Sequence, residues 1–160
     1  KELDIQDFHL YGQSFGGILA FEYLKRERPK LCRSVTLSST PTSVKQVESE
    51  ANRLVQALVD QGEHDPEDMA EVFRKSHQCQ TLKKPQPLVD AYASAGTTFR
   101  GTTPIANYEA VLDTSLDLLL DLPALIMRGE KDFVTRDCIK DWENHFETCQ
   151  VVELEECSHH

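Results

Sequence analysis

The sequence predicts an α/β fold, a parallel sheet flanked by helices and interrupted by a helical insertion. Two observations carry that reading. The first is a strand–helix–strand run near the start. Phe8-His9-Leu10-Tyr11 and Ser34-Val35-Thr36-Leu37-Ser38-Ser39 are short β-like segments. Between them, residues 15–28 place Ile18, Leu19, Phe21, Tyr23 and Leu24 on a wide apolar face, as burial under a sheet requires. Such a unit is βαβ, so its strands should be parallel and its crossover right-handed. The second is the return of strand character at residues 124–127 and 150–154, with a helical stretch between them.

Taken in order, residues 1–6 read as a helix end or connecting loop, and Pro29 stops the first helix. Residues 44–61 are helical, with Val47, Ala51, Leu54, Val55, Leu58 and Val59 at helical spacing. Asp65 caps a further helix, with Pro66 at its first position and Glu67 and Asp68 in its first turn, running to about His77. Residues 83–87 read as a linker, 88–95 as another helix and 96–104 as a Gly/Thr loop. Pro123 precedes the third strand. Thr135 caps a helix through Ile139, Trp142 and Phe146, and the fourth strand delivers the chain to Glu155-Glu156-Cys157-Ser158-His159-His160. The domain reading is therefore a core at 1–41, a helical cap over the site at 42–121, and the core again at 122–160.

Between the first strand and first helix stands Gly12-Gln13-Ser14-Phe15-Gly16-Gly17. A GxSxG between strand and helix is a nucleophile elbow, a turn so tight that a Cβ beside the serine would collide. Gly12 and Gly16 are expected to remove those Cβ atoms, and Gly17 to let helix and strand pack closely. Ser14 becomes a catalytic nucleophile only with a base and a group that orients the base.

Those partners fall at the carboxyl ends of later parallel strands, where the loops of such a sheet converge on one crevice. Asp132 lies just past the third strand and the His159-His160 pair just past the fourth. The order Ser, acid, His is the one this architecture uses. Glu130 and Asp137 are rival acids. Glu130 directly follows the turn glycine and should face solvent, while Asp137 sits in a helical first turn, where dipole interaction alone favours a carboxylate. The residues themselves barely separate His159 from His160. His9, His64, His77 and His145 read as structural, on a strand, a loop and helix surfaces. The backbone N–H of Phe15 is the expected oxyanion donor, with a second donor from a loop outside this sequence.

Net charge is −10, from 27 acidic against 17 basic residues, which argues against nucleic acid as a partner. No apolar run reaches membrane-spanning length; residues 116–127 come nearest and are interrupted by Asp117, Asp121 and Pro123. Five scattered cysteines lack zinc spacing and suggest reduced thiols in a cytoplasmic setting. Cys157 reads as a packed small residue. Beginning at Lys1 and stopping at His160, the chain reads as an internal segment of a longer protein. Such a segment alone is expected to expose residues 8–11 as an apolar edge and to be poorly soluble and inactive.

Tyr11-Gly12-Gln13-Ser14-Phe15-Gly16-Gly17-Ile18-Leu19-Ala20 resembles the GQSxGG elbow of the prolyl aminopeptidase branch of the α/β-hydrolase superfamily. Gly129-Glu130-Lys131-Asp132-Phe133-Val134-Thr135 is similar to its acid loop, and Cys157-Ser158-His159 to its C-S-H end. That resemblance selects His159 as the base. It implies an α/β-hydrolase fold with a helical cap, no metal or organic cofactor, and release of N-terminal proline from short peptides. Gln13 and Phe133, beside nucleophile and acid, are the candidate substrate-binding residues. One departure stands out. The branch holds the substrate's α-ammonium with carboxylates, commonly one directly after the catalytic Asp and one in the cap. Phe133 occupies the first place, and Gly96-Thr97-Thr98-Phe99-Arg100 offers no acid for the second. Glu109 or an acid of the cap helices is the available substitute. Two alternatives follow, a carboxylesterase or amidase acting on a neutral acyl group, and a ligand sensor that uses the cap as a binding lid.

Overall fold

The structure is a computed structural model that describes residues 5–62, 66–96, 102–112 and 120–160. Four strands form one sheet in the order β1 (Phe8–Gln13), β2 (Cys32–Ser38), β3 (Leu120–Gly129) and β4 (Phe146–Leu154). Every neighbouring pair is parallel, as the βαβ reading requires. Helix α1 (Phe15–Glu27) makes the crossover from β1 to β2. It ends at Arg28, whose φ of 43° is a left-handed cap ahead of Pro29.

The sheet's core face carries Val35, Leu37, Ala124 and Ile126, covered by Phe21 and Leu24 of α1 and by Ile139 and Trp142. Phe21 meets the Trp142 ring edge-on at a centroid distance of 4.9 Å, and the Trp142 Nε1–H donates to Thr40 O at 2.6 Å. The indole thus fills the core while its polar edge is satisfied.

Between β2 and β3 the described elements are helices and helical turns, with one isolated Ser43–Glu109 bridge. Helix α2 (Val44–Asp60) starts at Ser43, whose side chain accepts from Gln46 N. A 3₁₀ turn (Pro66–Asp68), α3 (Met69–Phe73) and a π-helical turn (Arg74–Gln78) follow without a break, then α4 (Gln86–Ala93) and a 3₁₀ turn (Thr103–Ile105). The proposed Asp65 cap lies outside the described residues. Gln86 and Pro87 belong to α4 rather than to a linker, because proline is tolerated in a helix's first turn.

One helix differs more. The segment after Thr135 is only α5 (Arg136–Ile139) plus a 3₁₀ turn (Lys140–Asn144), and Phe146 already opens β4 opposite Leu120. His145 is consequently buried rather than on a helix surface, its ring nitrogens 2.8 and 2.9 Å from the carbonyls of Asp141 and Ala110. Among the described residues no helix is long and apolar enough to cross a membrane.

Candidate active site

Ser14 stands where β1 becomes α1. Its N–H continues the sheet by donating to Ser38 O at 2.8 Å, while its carbonyl starts the helix by accepting from Gly17 N at 3.0 Å. Serving both elements within one residue forces φ to 52° and ψ to −120°, a conformation that L-residues rarely adopt and that costs of order 1–3 kcal/mol. A Cβ on Gly12 would come within 2.5 Å of Gly16 O and Gly17 Cα, and one on Gly17 would run into the Thr40 side chain. Gly16 differs from expectation, since a Cβ there would meet nothing within 4 Å among the described residues. The tight approach is from Gly12 onto the first-turn backbone, so Gly16 contributes its main chain rather than its missing side chain.

The acid and base loops are built against each other. A Cβ on Gly129, the last residue of β3, would collide with the carbonyls of Cys157 and Ser158. Glu130 N donates to Leu154 O at 2.9 Å and Lys131 N to Cys157 O at 2.8 Å. Arg128, 5% exposed, organises the acid loop from beneath. Its guanidinium pairs with Glu153 and donates to the carbonyls of Val134 at 3.0 Å and Glu130 at 2.9 Å. A buried arginine satisfied in this way fixes backbone rather than reacting. A charged residue at the end of a core strand was the available signal for it.

Asp132 is 2% exposed, and its Oδ1 accepts from Val134 N at 2.8 Å and from His159 Nδ1 at 2.9 Å. Its Oδ2 is buried without a partner among the described residues. The bond fixes the His159 tautomer with Nδ1 protonated, leaving Nε2 as the acceptor. Neither rival acid reaches the imidazole. Glu130 is exposed and accepts from Glu156 N, and Asp137 is exposed beside Lys140 at 3.3 Å. His159 is buried, while His160 is exposed.

Gln13 Nε2 donates to His159 O at 2.8 Å, tying the end of β1 to the loop after β4. The Phe133 ring lies 4.4 Å from the His159 ring. Cys157 is exposed rather than packed, and it is its backbone carbonyl that accepts from Lys131 N.

Two cavities meet at Ser14, Phe15, Thr102 and Phe133. One, of ≈ 490 Å³, is walled by apolar side chains of α1 and α2 and carries Glu48 as its single ionisable lining residue among those described. The other, of ≈ 520 Å³, holds Gln13, His159, His160 and the α4 side chains Leu88 and Tyr92. Sequence reasoning singled out Ser14, Asp132, His159, Phe15, Gln13 and Phe133; all but Asp132 line these cavities, and Asp132 bonds to His159. It did not single out Glu48. Glu109 is exposed, bridges to Ser43 and lines neither cavity. Residues 97–101 of the acid-free stretch lie outside the described residues.

The profile of the α/β hydrolase fold matches residues 1–160. The chain belongs to the α/β-hydrolase family. This α/β-hydrolase is 29% identical to a proline iminopeptidase of Lactobacillus delbrueckii subsp. lactis over 99% of its own length and 61% of that protein. It is 28% identical to the proline iminopeptidase of Lactobacillus acidophilus with the same coverage of each chain. It thus spans about three-fifths of the relatives it matches. Among solved structures it is similar to VinJ, with a TM-score of 0.76 and 20% identity over 97% of this chain and 60% of that one. The proline iminopeptidase of Mycobacterium smegmatis follows with a TM-score of 0.71 and 21% identity over 96% and 59%. At such identities the structural likeness establishes the α/β-hydrolase fold.

Proposed function

We propose that this chain carries the catalytic triad of a serine hydrolase that releases an N-terminal residue, in the manner of a prolyl aminopeptidase. The observation that carries the reading is the 2.9 Å bond from His159 Nδ1 to Asp132 Oδ1, with Ser14 on the cavity that His159 lines. In this mechanism Ser14 Oγ attacks the substrate carbonyl and its proton passes to His159 Nε2. The resulting oxyanion lies against the Phe15 N–H at the positive end of α1, a donor of a kind whose removal costs about 10²–10³ in rate. Collapse breaks the bond to the leaving amine, which takes the proton from His159. Water then repeats the sequence on the acyl-enzyme and frees Ser14. The helices between β2 and β3 act as the cap.

The proposed mechanism also divides the two cavities between the parts of the substrate. A leaving group must depart beside the imidazole that protonates it, so the ≈ 520 Å³ cavity takes the leaving group and the ≈ 490 Å³ cavity takes the acyl residue. Glu48 at the rim of the acyl side is then the carboxylate that receives the α-ammonium, in place of the acid absent at Phe133. A second reading, hydrolysis of a neutral acyl ester or amide, is favoured by Phe133, which lines both cavities where the aminopeptidase reading expects a charge.

A fluorophosphonate probe tests the triad, because it should label Ser14 in the full-length protein and leave Ser14→Ala unlabelled. Equal labelling overturns the triad. Turnover of a proline arylamide against a short acyl ester separates the two substrate readings. Glu48→Gln should raise KM for the arylamide about 2- to 5-fold, the range an exposed ion pair supports, and leave the ester unchanged. An equal effect on both substrates removes Glu48 from ammonium recognition.

A further inference from the structure

The π-helical turn that ends α3 is joined to the base and acid loops through its own last residues. Helix C-termini leave carbonyls without intrahelical donors. Here two of them face the base loop. His77 O accepts from His159 N at 3.3 Å, and Gln78 O accepts from His160 N at 2.9 Å. The His77 side chain turns the other way, its Nδ1 standing 2.9 Å from Lys131 O, one residue before Asp132. A carbonyl only accepts, so His77 Nδ1 carries the proton and donates.

The turn itself is braced. Arg74 is 5% exposed, and its Nη1 donates to Cys79 O at 2.7 Å, while Nε and Nη2 both reach Glu71 at 2.6 Å. The Cys79 N–H closes the wide turn on Arg74 O at 2.7 Å. π-Turns carry a helical residue that a regular helix would not accommodate, and they recur at functional sites. Phe73 adds a ring against both His77, at 5.3 Å, and Phe133, at 6.1 Å.

We infer that this turn is a clamp, and that His77 is a positioning residue for the reaction. One residue holds the acid loop by its side chain and the base loop by its main chain, so the distance between Asp132 and His159 is set partly from the cap. Parallel strands β3 and β4 bring the two loops near each other, but the His159 ring is carried on a segment beyond the end of β4. A displacement of about 1 Å at a base is enough to cost about 10²-fold in rate. The clamp thus makes the helical insertion part of the catalytic geometry as well as a cover for the substrate.

The inference rests on His159 acting as the base, and the test separates the two. In the full-length protein, kcat and KM are measured on the substrate that turns over fastest, for His77→Leu, His77→Asn, His77→Gln and His159→Ala. The Asn amide nitrogen falls near the position of imidazole Nδ1, whereas the Gln amide nitrogen falls near Nε2. His77→Leu should lower kcat at least about tenfold with KM little changed, and His77→Asn should recover most of that loss. His77→Gln should not recover it. Amide exchange at His159 should accelerate in His77→Leu and return toward wild type in His77→Asn. Should His77→Leu not fold, the Asn and Gln pair decides alone. Equal kcat in that pair, retained or lost, overturns the clamp, as does an effect confined to KM. Wild-type turnover by His159→Ala instead overturns the base assignment beneath it.

Discussion

Replacing Asp132 by Asn isolates what the carboxylate charge contributes. Asp132 Oδ1 accepts from both Val134 N and His159 Nδ1, while Oδ2 has no partner among the described residues. An asparagine has two ways to fit. With its oxygen at the Oδ1 site, both donors keep their acceptor and the NH₂ occupies the unpartnered position. Flipped, the NH₂ would face two N–H groups at once, which leaves three donors in conflict. The first arrangement therefore prevails, and the His159 tautomer survives. What disappears is the negative charge beside the imidazolium formed during attack. At a charge separation of about 4 Å and an effective dielectric near 20, that interaction is about 4 kcal/mol, or roughly 10³-fold in rate. Asp132→Asn should therefore lower kcat by about three orders of magnitude with KM nearly unchanged. The assay is steady-state turnover of an arylamide by full-length protein, with the rate of fluorophosphonate labelling as a second readout. Retention of kcat within tenfold would refute Asp132 as the partner of the base. A collapse in thermal stability would instead refute the assumed orientation of the amide.

Two further predictions follow from the elbow and the clamp. Gly12→Ala should abolish activity and labelling, because its Cβ meets main chain that cannot yield, whereas Gly16→Ala should retain most of both, because its Cβ enters open space. Equal loss in the two variants, read by labelling of Ser14, would contradict the elbow geometry. The Arg74 guanidinium holds the Glu71 carboxyl well below its usual range, at about 2. A depressed carboxylate contributes stability that is present above its unfolded value of 4.5 and is lost as pH falls toward 2. Glu71→Gln should accordingly flatten the fall in thermal midpoint across that interval. An unchanged acid limb would detach Glu71 from the turn's stability.

The parts of this site that were legible in the sequence are those written in side chains. Gly12, Ser14 and Asp132 stand out because the proposed chemistry tolerates few other residues there. The His159-His160 pair was narrowed to His159 only by the family resemblance. Strand–helix order predicted the placement of all of them at one end of the sheet. The parts that were not legible are written in the main chain. Nothing in Arg74-Lys75-Ser76-His77-Gln78 marks a π-turn, and the bonds from His77 O and Gln78 O would be available to almost any residue. His145 was misread for a related reason. A helical pattern through Trp142 continues plausibly to Phe146, but pairing of Phe146 with Leu120 ends it early and turns His145 inward. Glu48 escaped because an acid on an amphipathic helix ordinarily faces solvent, and only the folded cavity puts it in the same lining as Ser14.

The site is divided between two halves of one continuous sheet, which the β2–β3 ladder joins. Ser14 belongs to the half made by β1, α1 and β2, where the Ser38 carbonyl fixes its backbone. Asp132 and His159 belong to the half made by β3 and β4, where Arg128 and Gly129 lock the loops together. Ser39 N extends the β2–β3 ladder by donating to Met127 O at 2.7 Å. Nearer the site, Gln13 Nε2 on His159 O is a direct tie between the nucleophile's strand and the base's loop. It explains why a glutamine beside the serine is useful: a long neutral amide reaches the carbonyl without adding a charge next to the imidazole. Gln13→Ala should then act as a joint failure. The acid–base pair would stay assembled while its registration against Ser14 loosened, so acylation would slow although the Asp132–His159 bond persisted.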